Sequence, residues 1–399
     1  MRVLSILICL FIVSNLHSQK VVNYDTIMPL ENYNFVLGTN CIGGKYQFSN
    51  DSKLLEQAKH TRAMGSNIIK ISLGPNSVKS YDLKIDKKPA TTLELFASSP
   101  EYKKVFDMDF KYIQAWVHTA TGIEWKNGIN QDQEKILYDE MYSFVSYILK
   151  EYNNSGKTFL IGNWEGDWLL HPNYKRDVSP SEDHIKNMTK WFQIRQQAID
   201  DAKKAVKTKN VNLFYYIEVN LVLKGLKGEN CIAQSILPNV KVDLVSYSSY
   251  EAIKNRTYAQ KKEQLEQVFN YLEKQLQPKE NLPFSRRVFI GEYGYHANIS
   301  KPESFKKQYD ETKEIMQISL ELNLPFALHW QMYNNEYENG VSKEMSLINE
   351  NGERMPLYYL HKNYYKAMND YLVDYKKKQK KYPSQNDFNI KALAVLKAL

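Results

Sequence analysis

The chain has 399 residues, 43% apolar and 25% charged, enough for one large globular domain or two of average size. Its 53 basic and 45 acidic residues give a net charge of +8, part of it in one run, Lys376-Lys-Lys-Gln-Lys-Lys381. That run reads as a solvated chain end and not as a nucleic-acid surface, and three cysteines exclude a disulfide framework.

The first element is a leader. Met1-Arg2 precedes an unbroken apolar run from Val3 to Val13, followed by Ser14-Asn-Leu-His-Ser-Gln19. One basic residue, a short apolar core and the small Ser18 predict a signal peptide over 1–19, cleaved near Ser18, and so an exported protein, periplasmic or extracellular. The run is shorter than the roughly 20 residues of a spanning helix, so no stable membrane insertion is expected. Cys9 follows Ile6-Leu-Ile8 rather than the small residues a lipoprotein site needs. The remaining Cys41 and Cys231 read as two separate structural thiols.

From residue 33 onward two textures alternate. Short β-branched and aromatic runs at 33–40, 67–73, 110–118, 159–163, 213–219, 242–247, 288–292 and 326–330 have the length and composition of strands. Helical spacing marks 51–65, 133–152, 184–206, 258–276 and 303–322, the first with a cap-like start and a terminal glycine. Strands alternating with helices need crossover connections and imply a parallel sheet. Eight of them over about 300 residues predict an α/β fold, a closed (β/α)8 TIM barrel in a single domain over 20–372. Residues 373–399 read as a short, helical, basic and loosely packed C-terminal tail. The segment Gly38-Thr-Asn-Cys-Ile-Gly-Gly44 lacks dinucleotide-binding spacing. No His/Cys/Asp cluster has metal-ligand spacing, and nothing calls for a cofactor.

In such a barrel the site lies at the carboxyl ends of the strands. Strand 3 ends in Trp116-Val-His118, strand 4 in Asn163-Trp-Glu165, strand 6 in Ser246-Tyr-Ser-Ser-Tyr250, strand 7 in Gly291-Glu-Tyr-Gly-Tyr295 and strand 8 in His329-Trp330. Two of these ends carry a glutamate among aromatics. Glu165 has Trp164 and Trp168 around it, and an unpaired acid beside such rings is costly unless it is used. Glu292 follows Val-Phe-Ile-Gly directly. A pair of carboxyl groups is what glycoside cleavage needs: one protonates the leaving oxygen, and the other attacks the anomeric carbon or activates water. Asp167 reads as a loop acid. Glu218, Glu251 and Glu336 are supporting candidates near strand ends.

At this point the chain resembles the clan of retaining (β/α)8-barrel glycoside hydrolases that includes cellulase- and mannanase-like enzymes. The resemblance implies Glu165 as acid/base and Glu292 as nucleophile, about 5–5.5 Å apart in the retaining geometry. It places His118, Tyr250 and Trp330 at the substrate, and the aromatic ends add Asn163, Trp164, Trp168, Tyr247 and Tyr295. A carbohydrate is the implied partner. Two positions depart from the clan: Trp164 stands where an asparagine usually precedes the acid, and Ser248 stands where a histidine is common before the strand-6 tyrosine. These departures keep a second reading open, a barrel that binds glycans without cutting them. If the first reading holds, donors such as Tyr250 should favour ionised Glu292, while packing against Trp164 and Trp168 and the charge of Glu292 should keep Glu165 protonated.

Overall fold

A computed structural model describes Tyr24 and residues 27–399; the expected signal peptide lies outside the described residues. Eight parallel strands close into a barrel in sequence order: β1 Leu37–Asn40, β2 Ile68–Leu73, β3 Tyr112–Val117, β4 Thr158–Gly162, β5 Asn212–Val219, β6 Leu244–Ser248, β7 Val288–Tyr293 and β8 Ala327–His329. β8 pairs with β1 to complete the ring. All eight predicted runs are strands of this barrel, and the fold is the (β/α)8 barrel expected.

The five predicted helices form for local reasons. Ser52 caps Lys53–Met64, which stops where Gly65 turns left-handed at φ 106°. Capping boxes start Gln131–Glu151 (Asn130 with Gln133) and Tyr258–Gln275 (Thr257 with Gln260). Glu182–Ala205 and Glu303–Glu321 complete the set. Three short helices between β2 and β3 were not legible in the sequence: Pro75–Ser80, Thr92–Ser98 and Pro100–Asp107. Each has eight residues or fewer, too little for a periodic signal.

The tail expected after residue 372 is helical, as expected, but it is not loosely packed. The Pro356–Gln379 helix runs through that position unbroken, and Gln385–Ala398 follows it. Phe388, Ala392 and Leu396 of the second helix are fully buried. The basic run only ends the first, where Lys376 pairs with Glu31 at 2.8 Å and Lys378 with Asp374 at 2.7 Å. Cys41 and Cys231 are free and buried. No helix among the described residues is long and apolar enough to cross a membrane.

Inside the barrel, alternate residues interdigitate around Tyr112, Leu160, Phe214, Tyr216, Phe289 and Phe326. Gly162 is where Tyr216 needs room: a Cβ there would meet its ring at 2.2 Å. Above this apolar plug the inward positions turn polar, and there the candidate site begins.

Candidate active site

The site is built on a break in register. Along β6 and β7, Ser246 pairs with Phe289 and Tyr247 with Ile290, but Ser248 pairs with Glu292, so Gly291 is an extra residue. Strict alternation from the inward Phe289 would aim Glu292 outward at the helices. The bulge re-aims it inward, which is a common use of bulges near functional sites. Only glycine fits at the bulge, because a Cβ on Gly291 would lie 1.8 Å from Ser246 Oγ and 2.7 Å from Glu218 Oε2.

Glu292 is 3% exposed. Its Oε1 is 3.5 Å from Lys70 Nζ. Its Oε2 is at the outer limit of hydrogen bonds from Ser248 Oγ, 3.4 Å, and Tyr250 Oη, 3.5 Å. Burial pushes its carboxyl well above the usual range; Lys70 opposes this, and the charges of Glu165 and Glu218 add to it. The group that favours ionised Glu292 is therefore Lys70 more than the expected Tyr250.

Glu165 follows β4 at the start of the short helix Gly166–Leu170. Its Oε2 accepts from Trp168 Nε1 at 3.0 Å. Burial lifts its carboxyl to about 7, against the pull of the nearby Ser248 hydroxyl; Glu218 raises it further, while Lys70 and Trp168 lower it. The direction matches the sequence expectation, but two causes differ. Trp168 acts as a donor that lowers the value, and the reinforcing charge is that of Glu218.

Glu218 is the residue the sequence reading undervalued. It is fully buried on β5 and accepts from Lys70 Nζ at 2.6 Å, Ser246 Oγ at 2.7 Å, Trp116 Nε1 at 2.9 Å and the Glu165 main-chain N–H at 3.3 Å. Lys70, not singled out from the sequence, is also fully buried and lies 4.4 Å from the Trp116 ring centroid. A signal was present. Ile68-Ile-Lys-Ile-Ser-Leu73 and Phe214-Tyr-Tyr-Ile-Glu-Val219 each carry one charge in an apolar strand, and opposite buried charges need each other.

The other expected residues divide. Trp330 joins the cluster: its ring is 6.0 Å from Trp116, and its Nε1 donates to Glu336 at 2.9 Å. Trp164 and Tyr250 pack on the interior apolar cluster at the mouth. Asn163 does not face the site, since its amide binds the main chain of Trp164 and Glu218 and so ties β4 to β5. Tyr247 points outward, packing against Phe269 and donating to Glu251 at 3.2 Å. Tyr295 lies under Lys261, 4.8 Å from its ring centroid, and donates to the Ile253 carbonyl at 3.4 Å. Tyr247 and Tyr295 are thus corrected: strand parity and helix packing hold both away from the glutamates. His118 is partly buried near Arg195, and burial with that charge lowers its imidazole to about 4, so it is neutral near pH 7.

Asp167 is the loop acid expected. It accepts main-chain N–H groups of Ile232 at 2.7 Å, Asn220 at 2.8 Å and Leu221 at 3.1 Å, joining the loops after β4 and β5. Glu251 lies outside the barrel, and burial lifts its carboxyl to about 7. Because its folded value exceeds the ordinary 4.5, the unfolded chain binds fewer protons between these values, and stability falls as pH rises through that window. Both hydrogen bonds that Glu251 receives, from Tyr247 Oη and Leu223 N, end on Oε1, which a glutamine retains. Glu251→Gln should therefore match the parent near pH 4.5 and exceed it by about 2 kcal/mol at pH 8.5, read by urea unfolding. Equal stability at both pH values would refute this.

Among the described residues no group of three His, Cys, Asp or Glu is placed to hold a metal. No protein-family model and no curated protein sequence matches the chain. Solved structures do. A family 39 glycoside hydrolase from the gut symbiont Bacteroides cellulosilyticus WH2 is similar at a TM-score of 0.50 and 13% identity, over 86% of this chain and 66% of that one. A Bacteroidetes-affiliated family 5 cellulase linked with a polysaccharide utilization locus gives 0.50 and 13%, over 82% and 88%. A calcium-binding mutant of Bacteroides uniformis beta-glucuronidase 2 gives 0.50 and 10%, over 84% of this chain but 34% of that one. The chain thus spans less than two thirds of the first and about a third of the last. What it shares with these glycoside hydrolases is the closed (β/α)8 barrel.

Proposed function

We propose that the protein is an exported glycoside hydrolase that cleaves an O-glycosidic bond of an oligo- or polysaccharide with retention of configuration. The observation that carries this reading is that Glu165 and Glu292, at the carboxyl ends of β4 and β7, meet on one buried charge pair: the Glu165 main-chain N–H donates to Glu218 at 3.3 Å, and Glu292 lies 3.5 Å from Lys70. Glu165, with a carboxyl lifted to about 7, holds a proton for the leaving oxygen. Glu292, with Lys70 beside it, attacks the anomeric carbon as the leaving group departs with that proton. Glu165 then takes a proton from water, which cleaves the glycosyl ester and frees Glu292. Trp164 and Trp330 offer ring faces to the sugar. The leader over 1–19 supports export.

The test is hydrolysis of an aryl-glycoside panel, with the first-formed product anomer followed by NMR. Retention supports the assignment, and inversion overturns the nucleophile role. One observation favours the alternative of a glycan-binding barrel: the Asn163 amide is committed to the main chain and not offered to a sugar hydroxyl. Glycan binding that persists in Glu165→Gln and Glu292→Gln variants, with no turnover by the parent on any substrate, would establish that alternative.

A further inference from the structure

The centre of the barrel holds a charge pair whose carboxylate, Glu218, neither step above uses. Lys70 and Glu218 are both fully buried and 2.6 Å apart. Glu218 takes four donors, drawn from β2, β3, β6 and the residue that opens the loop after β4, which fills the acceptor sites of a carboxylate. Lys70 spreads its donors over Glu218, the Gly291 carbonyl at 3.3 Å and Glu292 at 3.5 Å. A buried pair of this kind contributes little over apolar residues of the same volume. Its position is better explained by the charge it sets.

We propose that Glu218 is a positioning residue of the site: it anchors Lys70 between itself and Glu292 and holds the Glu165 main chain, so that the cation supports the charge of Glu292 while the charge of Glu218 bears on Glu165. The catalytic consequence rests on the glycosidase reading; the electrostatic one does not. The ionisable groups facing Glu218 are Lys70 from β2, Glu165 after β4, Tyr216 from β5, Tyr250 after β6 and Glu292 from β7. Lys70 lies 3.5 Å from the Glu292 carboxyl, while Glu218 bonds the Glu165 main chain at 3.3 Å, so the cation acts mainly on Glu292 and the charge of Glu218 on Glu165. Removing both charges therefore displaces the two glutamates in opposite directions. A merely structural loosening would relieve burial at both and lower both.

The experiment is a carboxyl 13C NMR titration of the intact chain labelled at glutamate, with signals assigned through Glu165→Gln and Glu292→Gln. Glu218→Gln should move the Glu165 midpoint down from about 7 toward the ordinary glutamate value. Lys70→Met should move the Glu292 midpoint up. The double variant Lys70→Met/Glu218→Gln strands no charge and decides the matter if either single variant fails to fold: Glu165 should fall while Glu292 rises. In an active enzyme the bell of kcat/KM against pH should narrow from both sides. Midpoints that stay in place, or that fall together, overturn the proposal even if turnover is intact. Absence of turnover on the aryl-glycoside panel overturns the glycosidase reading and leaves the titration to be judged by itself.

Discussion

Glu292→Ala should abolish turnover on every substrate, by a factor on the order of 10^4 to 10^6, because no other group can form the covalent intermediate. The loss should not reflect misfolding. Lys70, which faces Glu292 at 3.5 Å, keeps its shorter bond of 2.6 Å to Glu218 when Glu292 is truncated, so no cation is left unpaired. Glu165→Ala should behave differently. General acid catalysis contributes roughly 10^2 to 10^4, and it is needed only where the leaving group requires a proton. This variant should therefore lose that factor on alkyl glycosides, lose little on nitrophenyl glycosides in the first step, and regain rate with azide, which needs no base to attack the glycosyl ester. Steady-state kinetics of both variants on both substrate types are the measurement. Equal losses on activated and unactivated substrates, or azide rescue of Glu292→Ala in place of Glu165→Ala, would show the roles to be wrong. The apparent pH limbs belong to a coupled set that includes Glu218, so these variants, and not the parent profile, assign them.

The barrel could be read from the sequence because each strand is a compact β-branched or aromatic run and four of the five predicted helices begin with a side-chain cap. The two glutamates could be read because each closes such a run among aromatics. What could not be read is direction. Alternation along β7 would turn Glu292 outward, and the Gly291 bulge that reverses it shows in the sequence only as one glycine. Direction also separates the tyrosines after and within β6. Tyr247, next to the inward Ser246 and Ser248, must face the helices, while Tyr250 lies past the strand end and is free to reach Glu292. Lys70 and Glu218 are 148 residues apart, and each looks like an isolated anomaly until the barrel closes and brings them together. Asn163 was placed at the substrate by its strand-end position, but its amide binds the main chain of Trp164 and of β5, the latter a neighbour only in space.

Deleting residues 382–399 should lower stability by about 5 kcal/mol, a large part of the total for an ordinary domain, although this segment reads as a solvated tail. Phe388, Ala392 and Leu396 recur every fourth residue, which puts them on one helical face, and all three are fully buried. Phe388 packs 5.0 Å from the Tyr33 ring and 5.9 Å from that of Phe35, just before β1. Tyr33 Oη donates to the Pro383 carbonyl at 3.1 Å, and Asn389 donates to Asn323 at 3.0 Å, just before β8. The segment therefore covers the seam where β1 and β8 close the barrel, at the end opposite the glutamates. The point substitution Phe388→Ala should cost about 3–5 kcal/mol through the cavity it leaves. Because the seam is remote from the mouth, both variants should lower the urea midpoint while leaving the midpoint of the Glu165 titration unchanged in the folded protein. A truncated chain as stable as the parent would mean that this helix does not hold the barrel shut.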